Sequence, residues 1–142
     1  QFNIENKDIL DLYAGSGSLG IESLSRGANF VTFIENSDDC ITILKKNLNE
    51  FENNYKITKS SVDKFLQTSL STYDIVFYDP PFKIETDVVK KEVMKIYNIL
   101  NSDGFVVIHR HTVSKELDTL KNYKIHKEKN YGQSNILILR KL

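Results

Sequence analysis

With one cysteine in 142 residues, the chain has no internal disulfide framework, and this fits a reducing cytoplasm. No apolar run approaches the ~20 residues that a membrane span needs, and no secretory signal is visible, so a membrane location is not expected. Linkers rich in Pro, Gly or Ser, internal repeats and low-complexity runs are also lacking, so residues 1–142 read as one domain. Nor is there surplus charge. Nineteen Lys and Arg face 19 Asp and Glu, which withholds the positive excess that polyanion binders normally draw on. What is present is a core: 40% hydrophobic residues, with eight Phe and seven Tyr, exclude a disordered tail.

Strand and helix patterns alternate along the chain, which predicts a parallel sheet covered on both faces. Ser37 caps a helix whose first turn carries Asp38 and Asp39, favourable at the positive end of the helix dipole. Ile41, Leu44, Leu48 and Phe51 recur at helical spacing as a core stripe, with Cys40 on the same helix as core filler rather than nucleophile. Residues 55–59 read as a strand and 62–70 as a short helix. Val89, Val93, Ile96 and Leu100 mark a longer helix. Gly104 opens a fifth strand over 105–109, and 112–120 is helical. Residues 124–131 and 136–141 form a closing antiparallel pair around Gly132.

The most informative stretch is Tyr73-Asp74-Ile75-Val76-Phe77-Tyr78-Asp79-Pro80-Pro81-Phe82. An apolar strand runs into an acid, two prolines and an aromatic. The Asp79 carboxylate can accept hydrogen bonds from an exocyclic amino group. Pro80 has no N–H, but its carbonyl can accept a second such bond. Phe82, which follows Pro81, can stack on a planar base, a contact worth roughly 1–3 kcal/mol in nucleic-acid complexes. Taken alone, the run reads equally well as a strand stopped by a Pro-Pro turn.

The other end of the chain adds a second signal. Asp11-Leu12-Tyr13-Ala14-Gly15-Ser16-Gly17-Ser18-Leu19-Gly20 follows an apolar run and opens a helix. Its glycines permit a tight turn and close backbone approach to a ligand, and the helix start offers free N–H groups. A further strand over 30–34 ends at Glu35, about eighteen residues after Gly17. An acid there can accept both hydroxyls of a ribose. Asp11, Gly15, Glu35, Asp79 and Ser60-Ser61-Val62 all belong on loops beyond the carboxyl ends of the strands, where ligands of such sheets bind.

These segments, extended through Ser25-Arg26-Gly27-Ala28 and Phe33-Ile34-Glu35, resemble the class I S-adenosylmethionine-dependent methyltransferases. The likeness is to the RsmD type, which methylates the exocyclic amino group of a guanine in small-subunit (16S) ribosomal RNA. It covers nearly the whole chain, with a weaker match at Tyr131-Gly132. It implies a Rossmann-like α/β fold: a mostly parallel seven-stranded sheet, helices on both faces and a C-terminal antiparallel hairpin. S-adenosylmethionine is the implied cofactor, with Asp11, Tyr13, Gly15, Ser16, Gly17, Glu35, Asn36, Ser61, Val62 and Asp79 as its contacts. Asp79, Pro80, Pro81 and Phe82 are the implied catalytic set, and no metal is expected. Members carry an Arg-rich N-terminal segment before the first strand, so a truncated chain is expected here. The implied partner is small-subunit rRNA or a ribosomal assembly particle, met by a cytoplasmic monomer.

Related enzymes place an acid near Ser61 to reach the adenine amino group; here the nearby acid is Asp63. His109-Arg110-His111 follows the fifth strand, where relatives more often show an acid, and is read as a phosphate contact or a solvated strand end. Two histidines without further ligands make a poor zinc site. Lys45-Lys46 and Lys90-Lys91 are solvated helix faces rather than an RNA patch. Tyr131 shapes a base pocket or is a turn aromatic. The competing readings are methylation of adenine amino groups in DNA or RNA or of a protein glutamine, a nicotinamide-dependent oxidoreductase, and a catalytically silent binding module. The oxidoreductase leaves Asp79-Pro80-Pro81-Phe82 without a task.

Overall fold

The computed structural model describes residues 3–110 and 120–142. Seven strands, β1 (Asp8–Leu12), β2 (Phe30–Glu35), β3 (Tyr55–Lys59), β4 (Tyr73–Tyr78), β5 (Leu100–Arg110), β6 (Tyr123–Tyr131) and β7 (Ser134–Lys141), form one sheet in the order β3-β2-β1-β4-β5-β7-β6. The pairings β3-β2, β2-β1, β1-β4 and β4-β5 are parallel, and β7 is antiparallel to both β5 and β6. A dinucleotide-binding sheet runs 3-2-1-4-5-6 instead. The inserted antiparallel β7 therefore removes the oxidoreductase reading at the level of topology.

Four described helices, α1 (Ser18–Ser25), α2 (Asp38–Asn47), α3 (Val62–Thr68) and α4 (Thr86–Tyr97), divide between the two faces. Successive strand side chains point to opposite faces, so one strand feeds two cores. Ile9, Val31, Phe33, Ile75 and Phe77 pack with Leu44 and Leu48 from the α2 segment and with Ile21 and Leu24 of α1. Leu10, Leu12, Ile34, Val76 and Tyr78 pack against Val62 and Leu66 of α3 and Val89, Val93 and Ile96 of α4. Each such fully buried side chain contributes roughly 1.5–3 kcal/mol.

Local signals explain the helix starts. Ser37 Oγ accepts the Cys40 N–H at 3.3 Å, with Asp38 and Asp39 in the first turn of α2 and Lys45 and Lys46 in its last. α1 begins after Gly17, whose φ of 85° suits a residue without Cβ. Gly20 then lets α1 lie flat on β2, because a Cβ there would overlap the Phe33 ring.

Several expected boundaries shift. Leu100 opens β5 rather than closing the α4 stripe, since Asn98 caps the helix and the chain turns immediately into the sheet. β5 is thus longer than 105–109, with a register irregularity against β4 between Tyr73 and Ile75. α3 stops at Thr68, and Cys40 is half-buried rather than core. Asp11 is a strand residue, 2% exposed, not a loop residue. The helix expected over 112–120 falls on 111–119, outside the described residues, apart from Leu120. In β6 a bulge lies between Ile125 and Lys127. Among the described residues no helix is long and apolar enough to cross a membrane.

Candidate active site

The five parallel-paired strands β1 to β5 deliver their carboxyl ends to one edge, and the glycine turn sits there. Gly15, at φ 59°, borders open space, whereas Gly17 is buried against Leu44 of α2. Ala14 N–H donates to the Ile34 carbonyl at 3.0 Å, and Asn47 Nδ2 donates to the Ser16 carbonyl at 3.0 Å. The turn is therefore tied to both β2 and α2.

Glu35 organises this edge more than its expected part suggests. Its Oε1 accepts the Gly15 N–H at 2.8 Å, and its Oε2 accepts Asn36 N–H at 3.0 Å and Ser37 N–H at 2.9 Å. A carboxylate has about four acceptor positions, so three backbone bonds leave about one for a sugar hydroxyl. Glu35 is first a clamp on the turn.

Asp11 lies beneath α1 and accepts the Gly20 N–H at 3.2 Å through Oδ2. Burial pushes its carboxyl up to about 8, against the lowering effect of that N–H, with further upward pressure from the charges of Asp79 and Glu35. Three carboxyl groups thus gather around one edge, and burial favours the protonated form of the innermost.

Beside them, Tyr13, Ile34, Glu35, Asn36, Ser60, Ser61, Val62, Asp63 and Glu92 line a cavity of about 190 Å³. Ser61 is the N-cap of α3, its Oγ accepting Lys64 N–H at 3.2 Å. Asp63 instead meets Lys95 Nζ at 3.2 Å and Gln67 Nε2 at 3.0 Å. Both candidates thus line the cavity, Ser61 engaged as a helix cap and Asp63 in an ion pair.

Asp79 follows β4, and its Oδ1 lies 3.1 Å from His109 Nδ1 on β5. Pro80 is buried, Pro81 is exposed, and Phe82 is 55% exposed with its ring edge-on to His109 at 6.3 Å between centroids. Arg110 Nη2 donates to the Ile84 carbonyl at 3.1 Å and fastens the loop that carries these residues. His109, a third exposed at the strand end, thus packs against both Asp79 and Phe82. Tyr78 and Ile108 are register partners, so the residues that follow them meet at the same edge. Tyr131, 55% exposed, stands at the β6–β7 turn; His111 lies outside the described residues. Among the described residues no metal-ligating cluster exists.

Glu92 is a further site residue that pattern reading passed over. It is 4% exposed on α4, and its Oε1 accepts Tyr13 OH at 2.9 Å and Tyr78 OH at 2.6 Å. Burial and this carboxylate hold both phenol protons well above the usual tyrosine range. A charged residue three positions after Val89, on the buried face of a helix, is the feature that would have exposed it.

The family model described as Conserved hypothetical protein 95 matches residues 1–140. An uncharacterized methylase of Rickettsia prowazekii is 34% identical, over 96% of this chain and 77% of that protein. Ribosomal RNA small subunit methyltransferase D of Buchnera aphidicola is also 34% identical, over 92% of this chain and 69% of the relative. A solved structure of a conserved hypothetical protein from Streptococcus pyogenes superposes with a TM-score of 0.89 at 27% identity, covering 97% of this chain and 88% of that one. This chain therefore spans about 69% to 77% of the length of these two curated relatives. It belongs to the Conserved hypothetical protein 95 family, the RsmD-type S-adenosylmethionine-dependent methyltransferases.

Proposed function

We propose that the chain transfers a methyl group from S-adenosylmethionine to the exocyclic amino group of a guanine in small-subunit ribosomal RNA. The observation that carries this reading is the meeting of Asp79-Pro80-Pro81-Phe82 with the Glu35-clamped glycine turn at one sheet edge. It acts on the small subunit or its assembly precursor, as a cytoplasmic monomer.

The edge fits the cofactor. Glu35 and Asp79 supply negative charge suited to a donor bearing a sulfonium and an ammonium group, with the buried Asp11 carboxyl beneath the glycine turn. In this reading Glu35 takes a ribose hydroxyl with its remaining acceptor position, and Asn36, Ser61 and Val62 border the base. Tyr13, Gly15, Ser16 and Gly17 shape the turn beside the donor's amino-acid end. When bound, the cofactor supplies a methyl group already activated on sulfur.

The chain's task is then alignment and charge. A guanine amino nitrogen is a poor nucleophile, because its lone pair is delocalised into the ring. Hydrogen bonds from it to Asp79 and to the Pro80 carbonyl favour a more pyramidal nitrogen and stabilise the positive charge that develops there. Phe82 holds the base face-on once it has left its stack. His109 positions Asp79 through Nδ1, leaving Oδ2 for the substrate amino group.

Calorimetric titration with S-adenosylmethionine, S-adenosylhomocysteine and NADH, followed by methyl transfer to unmethylated small-subunit rRNA, tests the reading. Binding of the first two, methylation of guanine N2, and an Asp79→Ala variant that binds S-adenosylhomocysteine but turns over at least ~100-fold more slowly are expected. Equal loss of binding and turnover in that variant would refute the division of roles. Saturable binding of NADH alone would overturn the family assignment of the activity.

A further inference from the structure

The charge balance of the chain is zero, yet its cations are unevenly placed. From Lys121 to the C-terminus stand Lys121, Lys124, Lys127, Lys129, Arg140 and Lys141, against the single acid Glu128. Arg140 is spent on Asp103 at 2.9 Å, and Lys141 donates to the Tyr97 and Leu100 carbonyls. Lys124, Lys127 and Lys129 are exposed and make no ion pair among the described residues.

Strand geometry puts these three on one face. Side chains of a regular strand alternate, so Lys124 would oppose Lys127 and Lys129. The bulge between Ile125 and Lys127 shifts the alternation by one. Lys124 pairs with Arg140, Lys127 with Ile138 and Lys129 with Ile136. Those β7 residues pair in turn with Phe105, on the neighbouring strand, then with Val107 and His109. Three cross-strand rows result, each ending in a lysine. Glu128 points to the opposite face, where it accepts from Asn135 Nδ2 at 3.0 Å.

The column of lysines leads to the catalytic edge. Lys129 lies two strands from His109, so their backbones are about 10 Å apart. Tyr131, 55% exposed, stands on the same face at the end of the column, and Lys127, Lys129 and Tyr131 line one groove with Arg26 and Glu22 of the α1 segment opposite. Unpaired cations in file, ending in exposed aromatics, are the usual means of holding a single RNA strand.

We propose that the Lys124–Lys127–Lys129 face of the hairpin holds the phosphate backbone of the RNA strand flanking the target nucleotide, with Tyr131 at its catalytic end. This rests on the rRNA reading above. The test compares the protein with Lys124→Gln/Lys127→Gln/Lys129→Gln and with a control, Lys45→Gln/Lys46→Gln, on unmethylated small-subunit rRNA transcript. The triple variant should raise the KM for RNA about tenfold or more and lower the slope of log affinity against log salt by about 2, at ~0.7 per lost phosphate contact. S-adenosylhomocysteine affinity should not change, and the control should behave as the parent protein. An unchanged KM and salt slope in the triple variant, with the parent active on RNA, would overturn the proposal and leave the rRNA reading standing. Equal losses in the control would overturn it as mere bulk charge. A parent protein that binds S-adenosylhomocysteine but neither binds nor methylates the transcript would overturn both.

Discussion

Asp11→Asn isolates the effect of the buried acid beneath α1. In the unfolded chain this carboxyl loses its proton near the ordinary value of 3.8, whereas in the folded protein burial keeps the proton on until about pH 8. Between these values the folded state binds more protons, so stability is full below pH 4 and declines as pH rises toward 8. The slope is about 1.4 kcal/mol per pH unit, or roughly 4 kcal/mol between pH 5 and pH 8. Asparagine keeps the shape, and its carbonyl can still accept the Gly20 N–H. It carries no titrating proton. Urea unfolding of both proteins at pH 5, 6, 7 and 8 should therefore give stabilities that diverge with pH, the variant gaining relative to the parent by an amount on the order of 4 kcal/mol. Groups that do not interact with Asp11 affect both curves alike, so the difference reports Asp11 with its coupling to Asp79 and Glu35. Parallel curves across this window would refute the reasoning and return Asp11 to an ordinary ionised carboxylate.

Glu35→Ala strands three backbone N–H groups, and we expect a loss of about 2–3 kcal/mol in urea unfolding together with loss of saturable S-adenosylhomocysteine binding. Gly20→Ala drives a methyl group into the Phe33 ring and should cost roughly 1–3 kcal/mol. Gly15→Ala meets open space and pays only for its positive φ, about 1 kcal/mol, so thermal melts should rank the two in that order. Glu92→Ala leaves the Tyr13 and Tyr78 hydroxyls without their acceptor and should destabilise by about 2–4 kcal/mol, while Glu92→Gln keeps an acceptor and most of the stability.

Much of this protein is legible along the chain. The β3 bounds, the Ser37 cap, the α2 stripe and the closing hairpin follow from local pattern, because each is decided by neighbours in sequence. The common edge of Asp79, Glu35 and the glycine turn was anticipated from the alternation of strands and helices, but the order of the strands was not. What pattern reading missed has a common cause. Glu92 with Tyr13, and Asp79 with His109, are contacts between side chains 79 and 30 residues apart, set by helix packing and strand register. Leu100 was misplaced because an apolar residue four positions after Ile96 satisfies helical spacing as well as it begins a buried strand. Glu35 was singled out by its position, but its three backbone partners follow from how β2 turns into α2, which spacing alone does not encode.

The extra residue in β6 gives the hairpin a phase. Upstream of it Tyr123 is locked into the core by its hydroxyl on the Val93 carbonyl at 2.7 Å, and downstream the turn at Gly132 fixes the other end. β6 has nine residues against the eight of β7, so deleting one residue at the bulge would let the alternation run regularly, with both anchors seated and the lysines still on one face. Deleting two would put one anchor out of phase, and either the lysines would move to the core side or Tyr123 would leave it. The strand should therefore tolerate the loss of one residue there but not of two.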